Sequence, residues 1–129
     1  MEYNVVPNIE PKDAISSGAF VYSIGTNLLK KHGLEHWSIK CGKLDNSIAG
    51  RCYFNSKQIV INTVCLYLMD FPTIEHVILH EIAHGLVGRL HGHDVHWHLK
   101  ARSLGCHAVP KLKYELQQID KDIYKITFK

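Results

Sequence analysis

The chain has 129 residues and a formal net charge of +3, with 46% hydrophobic and 21% charged residues. This length predicts a single domain over residues 1–129, and the composition excludes a disordered or low-complexity protein. No apolar run reaches the roughly 18 residues that cross a bilayer, and the first residues lack the basic and apolar stretches of a secretory signal. We therefore expect a cytoplasmic protein with no membrane partner.

Histidine is the unusual residue of this sequence. Ten histidines are present, and seven of them lie between His76 and His98. Because imidazole is the commonest protein metal ligand, this segment predicts a metal site. The cysteines predict neither a zinc ribbon nor a disulfide framework, because they form no C-x-x-C pair: Cys41, Cys52, Cys65 and Cys106. The small positive charge permits weak DNA binding without requiring it.

In chain order, the patterns predict an α+β fold. Helical spacing of apolar residues predicts an N-terminal helix over 11–32, closed by Gly33. Residues that favour β-structure then predict a small antiparallel sheet, formed by segments 37–41, 48–54 and 58–62.

Two further helices are predicted after Pro72. The first is apolar on nearly all sides over 74–87, which indicates burial. The second follows from Asp94, a capping residue, to about Leu104, with Gly105 as its stop, and helical spacing predicts that Val95, Trp97 and Leu104 pack in the core. The remaining residues form a C-terminal extension over 106–129, in which alternation predicts a strand at 123–128.

His80, Glu81 and His84 form an H-E-x-x-H motif inside the buried helix. Positions four apart on a helix differ by about 40° around its axis, so both imidazoles face one side and can bind one ion. Glu81 lies beside that ion, where it can accept a proton from a metal-activated water. The motif therefore predicts a zinc site with His80 and His84 as ligands and Glu81 as general base.

A third ligand is needed, because catalytic zinc takes three protein ligands and keeps a fourth position for water. The spacing of a metzincin fails here, because Leu90 occupies the position of its third histidine. His93 is favoured because it follows a glycine and opens the next helix, and His91 is the next candidate. The segment offers four histidines in all: His91, His93, His96 and His98.

These motifs resemble the SprT-like (Spartan-type) zinc metalloprotease family. In that family H-E-x-x-H precedes a variable loop and a G-H-G-x-x-F/W segment, whose histidine is the third zinc ligand and corresponds to His93. The resemblance extends to the strand pair before the active-site helix and covers roughly residues 14–105. It implies a zincin-like fold in which a further helix bears the third ligand. The segments that carry it are 49–54, 58–62, 80–86, 91–97 and 101–105.

Two departures from the family pattern are visible. Asp94 replaces the glycine after the third ligand, and its carboxylate is a candidate to cap the next helix or to orient a zinc histidine. The zinc ribbon of many members is missing, since Cys106 stands alone. The resemblance thus implies a minimal protease core and, by analogy, proteins bound to DNA as substrates.

Two functions from different classes follow. The first is a zinc-dependent endopeptidase for protein or peptide substrates, in which the strand before the catalytic helix pairs with substrate backbone. The alternative is a non-catalytic, zinc-stabilised binding module that retains the zincin fold. Glu81 favours the enzyme because a structural site needs no base, whereas a fourth histidine ligand would favour the module. The sequence does not choose among the candidates for oxyanion stabilisation: Arg51, Tyr53, Tyr67 and His96.

Overall fold

A computed structural model of the protein describes residues 2–5, 11–45, 48–63, 69, 71–106, 114–120 and 123–128. Helices and strands are mixed along these residues, as expected for the α+β class. No helix among them is long and apolar enough to cross a membrane. In chain order the elements are β1 (Glu2–Val5), α1 (Pro11–Lys31), β2 (Ser38–Gly42), β3 (Gly50–Tyr53), β4 (Gln58–Asn62), α2 (Phe71–Val87), α3 (Val95–Ser103), β5 (Tyr114–Asp120) and β6 (Ile123–Phe128).

The sheet beside α2 has the strand order β2-β4-β3. β3 and β4 are antiparallel, with Gly50 opposite Ile61, because a short turn joins them. β2 and β4 are parallel, with Ser38 opposite Gln58. The expectation of an antiparallel sheet is therefore wrong for this pair. The connection after β2 leads to the opposite edge of the sheet, where β3 lies. β4 then takes the central position between β2 and β3.

Asn62 fixes that crossing connection. Its side chain is 2% exposed, and its Nδ2 donates to the backbone oxygens of Asp45 at 3.0 Å and Ile48 at 2.8 Å. A buried amide is costly unless it is hydrogen-bonded, and here it satisfies carbonyl groups that no strand pairs. Asn62, at the end of β4, thus holds the connection that leads into the edge strand β3.

α1 and α2 form the core with this sheet. α2 buries an almost continuous apolar surface, in agreement with the sequence pattern. Two glycines permit close packing, since a Cβ at Gly25 would lie 2.6 Å from Ile39 Cδ1 and one at Gly85 would lie 3.0 Å from Leu34 Cδ1. α2 therefore packs against α1, the sheet and the segment that follows α1.

The chain ends contribute a second sheet of order β1-β6-β5. β6 pairs antiparallel with both neighbours, with Glu2 opposite Thr127 and Glu115 opposite Thr127 on its other side. The sequence predicts β6 and misses β1 and β5. A four-residue strand such as β1 is too short to show a pattern of its own, and its pairing is between residues far apart in the chain.

Candidate metal centre

α2 carries His80 and His84 on one face, one helical turn apart, with ring centroids 5.1 Å apart. His80 is 2% exposed, and His84 is half-buried. Ile82 lies on the opposite side of the helix and is fully buried. The apolar face therefore fixes the helix in the core while its other face presents two imidazoles.

His93 comes to these two rings from the link between α2 and α3. Its Nε2 lies 3.0 Å from Nε2 of His84 and 3.2 Å from Nε2 of His80. Gly88, with φ +90°, ends α2 and turns the chain back. His93 follows Gly92, but the glycine with a positive φ in this link is Gly88.

Asp94 then fixes the start of α3 directly after His93. Its Oδ1 accepts a hydrogen bond from the backbone N–H of Trp97 at 3.1 Å, which is the geometry of a helix N-cap. Gly105, with φ +83°, lies beyond the end of α3, where the sequence placed the helix stop. His93 is thus held by a capped helix rather than by a free loop.

The three Nε2 atoms fit one metal ion. One ligand atom from each of His80, His84 and His93 lies within 4.8 Å of the others, so the group could hold a metal. Nitrogens at about 2.05 Å from a tetrahedral zinc ion lie roughly 3.3 Å from one another, close to the two spacings above. Without an ion, three ring nitrogens that face each other have too few N–H hydrogens for every close pair to form a hydrogen bond. Their assignment as ligands remains a prediction, which this geometry supports.

The electrostatics of the cluster favour neutral imidazoles. Burial, with smaller contributions from the neighbouring histidines, lowers the pKa of His80 to about 2. Burial and His93 lower the pKa of His84 to about 4. A neutral imidazole offers the lone pair that a metal needs, whereas an imidazolium does not. The protein environment therefore keeps these donors in the form that binds a cation.

Trp97 of α3 lies against all three imidazoles. Its ring centroid is 4.6 Å from that of His80, 5.4 Å from that of His84 and 4.7 Å from that of His93, and its side chain is fully buried. Trp97 and Leu104 pack in the core as predicted, whereas Val95, at the start of α3, is 62% exposed, so the prediction is wrong for Val95. His80 Nδ1 and Trp97 Nε1 are buried and have no hydrogen-bond partner among the residues that the structure describes.

Glu81 lies on α2 and is 4% exposed. Its side chain packs near β3, where a Cβ added at Gly50 would lie 3.2 Å from Glu81 Cγ. Burial raises the pKa of Glu81 to about 8, and the nearby Arg51 opposes that rise. A divalent cation at the three histidines would lower the pKa of Glu81 further and so favour its ionised carboxylate form. Glu81 is thereby placed beside the cluster as a group able to accept or release a proton.

A cavity of about 410 Å³ opens onto this cluster. β3 forms the wall that faces α2, and the edge of β3 that does not pair with β4 carries no strand in the described part of the chain. β4 lies between two strands, so the expectation that the strand directly before α2 binds substrate backbone is wrong. The lining residues are Ile48, Gly50, Arg51, Cys52, Phe54, His80, Glu81, His84, His91 and His93.

His91 lines the cavity without joining the ligand group. Its Nδ1 lies 2.8 Å from Oδ2 of Asp94, and this contact is the largest cause that lowers the pKa of Asp94. Asp94 therefore caps α3 and holds His91. His96 stacks on His91 with centroids 4.6 Å apart, and His98 lies against Trp97.

The structure separates the four candidates for oxyanion stabilisation. Arg51 lines the cavity at the histidine cluster. Tyr53 lines a neighbouring cavity instead, and His96 lines neither of the two. Tyr67 lies outside the described residues. No single-residue pattern distinguishes these positions, because their placement depends on which strand takes the edge of the sheet.

Comparison with known proteins gives one family. A model of the SprT-like family matches residues 21–120, a range that contains Glu81 and the three clustered histidines. Neither the curated proteins nor the solved structures gave a significant match. The matched range begins and ends later than the span of roughly 14–105 over which the sequence resembles the family, and it covers more than half of the 129 residues. The chain belongs to the SprT-like family.

Proposed function

We propose that this protein is a zinc-dependent endopeptidase with a zincin-like fold. The observation that carries the proposal is the convergence of His80, His84 and His93 at 3.0–3.2 Å with Glu81 buried beside them. Membership of the SprT-like family supports the same activity. A zinc ion at such a site supplies a Lewis acid for a carbonyl group and activates water.

The protein's own residues would transfer the proton, bind the substrate backbone and supply positive charge in the cavity. Glu81 accepts the proton of the attacking water and delivers it to the leaving amine, as its position next to the cluster allows. The open edge of β3 binds the substrate backbone as an added strand, which brings a peptide carbonyl into the cavity. Arg51, the oxyanion candidate that lines this cavity, supplies positive charge there.

The non-catalytic alternative requires a closed site with a fourth protein ligand. His91 is the one further histidine among the described residues that lines the cavity, and its Nδ1 lies 2.8 Å from Oδ2 of Asp94. His96 and His98 lie outside the candidate ligand group. Among the described residues no fourth ligand joins the three histidines, and this three-histidine group beside a buried carboxylate favours the enzyme over the binding module.

Glu81→Gln tests the proposal. The amide keeps the shape of the side chain but cannot accept the proton, so hydrolysis of a denatured protein substrate should fall by about 10²–10⁴-fold while zinc content stays at the wild-type value. Glu75→Gln removes a half-buried carboxylate from the same helix and should leave both unchanged. Equal hydrolysis by wild type and Glu81→Gln would refute the assignment.

Proteins bound to DNA are the proposed physiological substrates, on the analogy of the family alone. If so, added DNA should raise cleavage at low salt, and the rise should disappear as salt increases, because phosphate contacts release counterions. The net charge of +3 leads us to expect a small effect. Cleavage that ignores DNA at low salt would leave a general protease.

A further inference from the structure

Two cavities adjoin on the face that bears the histidine cluster. The second has a volume of about 330 Å³ and shares Cys52 and Phe54 with the first. Arg51 lines the first cavity, and Arg89 lines the second. Each of two neighbouring cavities is therefore lined by an arginine, one on the edge strand β3 and one just beyond the end of α2.

Both guanidinium groups lie near aromatic rings of the same strand and turn. Arg51 Cζ is 6.0 Å from the ring centroid of Tyr53, and Arg89 Cζ is 5.9 Å from that of Phe54. Arg89 also donates a hydrogen bond to Oδ1 of Asn55 in the β3–β4 turn. Such contacts restrict where the two cations can lie while leaving their charge available.

Neither arginine forms a salt bridge within the described part of the chain. Glu81 is the one acidic side chain among the described residues that line the two cavities, and Arg51 lies near enough to lower its pKa. Glu81 is buried next to the histidines, and Asp94 is held by His91. The open part of the cleft is consequently positive, and a guanidinium group prefers a carboxylate as its planar partner.

We propose that the cleft selects peptide segments with acidic side chains at the positions that pass Arg51 and Arg89. This inference rests on the proposed function, because it takes the edge of β3 as the place where the peptide lies. A strand added there puts alternate side chains opposite those of β3, within cross-strand reach of Arg51. Two separate cations beside a strand edge fit an acidic peptide better than a nucleic acid, which calls for a broad basic surface.

The test uses zinc-loaded Glu81→Gln protein and two fluorescent peptides that differ only in Glu against Gln on both sides of the central residue. Fluorescence anisotropy should show tighter binding of the Glu peptide, by about two- to fivefold for each guanidinium. Arg89→Gln in that background should reduce this preference and leave binding of the Gln peptide unchanged, and Arg51→Gln should reduce the preference as well. Lys40→Gln, on the far edge strand β2, is the control that should preserve the preference.

A charge reversal makes the test sharper. Arg51→Glu should invert the preference toward a peptide with Lys at the same positions. In the active protein, the Glu preference should be seen in KM rather than in kcat. If the Gln and Glu peptides bind equally, or if Lys40→Gln removes the preference as well, the proposal is overturned.

Two other outcomes separate the proposals. If a single-stranded DNA oligonucleotide binds more tightly than the Glu peptide and depends on both arginines, the cations serve a nucleic acid and the peptide proposal is wrong. If the Glu preference holds but the wild-type protein hydrolyses neither peptide nor denatured protein, the specificity stands and the endopeptidase function fails.

Discussion

α2 and the link that leads into α3 supply the three histidines of the candidate centre, but the two helices are held in different ways. α2 has 17 residues and buries eight of them, including His80 and Glu81. α3 has nine residues and buries Trp97 and Ala101, while Val95 and Leu99 are each 62% exposed. Two ligands thus depend on a core helix, and the third depends on a helix cap and one aromatic side chain. The comparison indicates that His93 is the part of the centre easiest to disturb.

Trp97→Ala should have the largest effect on α3, because this ring is the main buried contact of the helix and lies against all three imidazoles. We expect the free energy of unfolding, measured with urea on the zinc-loaded protein, to fall by about 3–5 kcal/mol. Leu99→Ala on the exposed side of the same helix should change it by less than about 0.5 kcal/mol. Similar values for the two variants would mean that α3 is not held by Trp97.

Ile82→Ala should destabilise α2 by about 2–5 kcal/mol, because Ile82 is fully buried on the side away from the histidines. Zinc stoichiometry of the folded variant should remain that of the wild type, since the helix itself fixes His80 and His84 relative to each other. Urea unfolding and metal analysis check both parts. Loss of zinc from folded Ile82→Ala would show that packing on the far side controls the ligand geometry.

Regular periodicity explains which parts of this structure the sequence could predict. α1, α2 and α3 could be predicted from the spacing of their apolar residues. Asp94 and Gly105 mark the two ends of α3 by effects that are local in sequence. The parallel pairing of β2 with β4 could not be predicted, because it depends on the crossing connection that Asn62 holds from a distance. A buried Asn at a strand end is the signal that was available.

The site divides in the same way. The H-E-x-x-H spacing places His80 and His84 on one face of a helix before any tertiary structure is known. His93 required a choice among four histidines, and the structure brings it, rather than His91, to the other two. The pairing of His91 with Asp94 and the position of Arg51 in the cavity depend on tertiary folding, so no local pattern reveals them.

Asp94→Ala should have a smaller effect than either core substitution. Loss of the N-cap should lower the free energy of unfolding by about 0.5–2 kcal/mol, and zinc affinity should fall by roughly 10–100-fold because His93 directly precedes the cap. Asp94→Asn retains the capping oxygen and removes the charge beside His91, so stability should stay near wild type. If both variants lose stability equally, the charge pair with His91 matters more than the cap.

The most direct test of the account is the zinc-to-protein ratio of purified wild type and single histidine variants after dialysis. We predict one zinc per wild-type chain, and a large loss of zinc in His80→Ala, His84→Ala and His93→Ala alike. His91→Ala should keep most of its zinc, because His91 contacts Asp94 and stands outside the ligand group. Retention of zinc by His93→Ala together with its loss from His91→Ala would contradict the three-histidine centre described above.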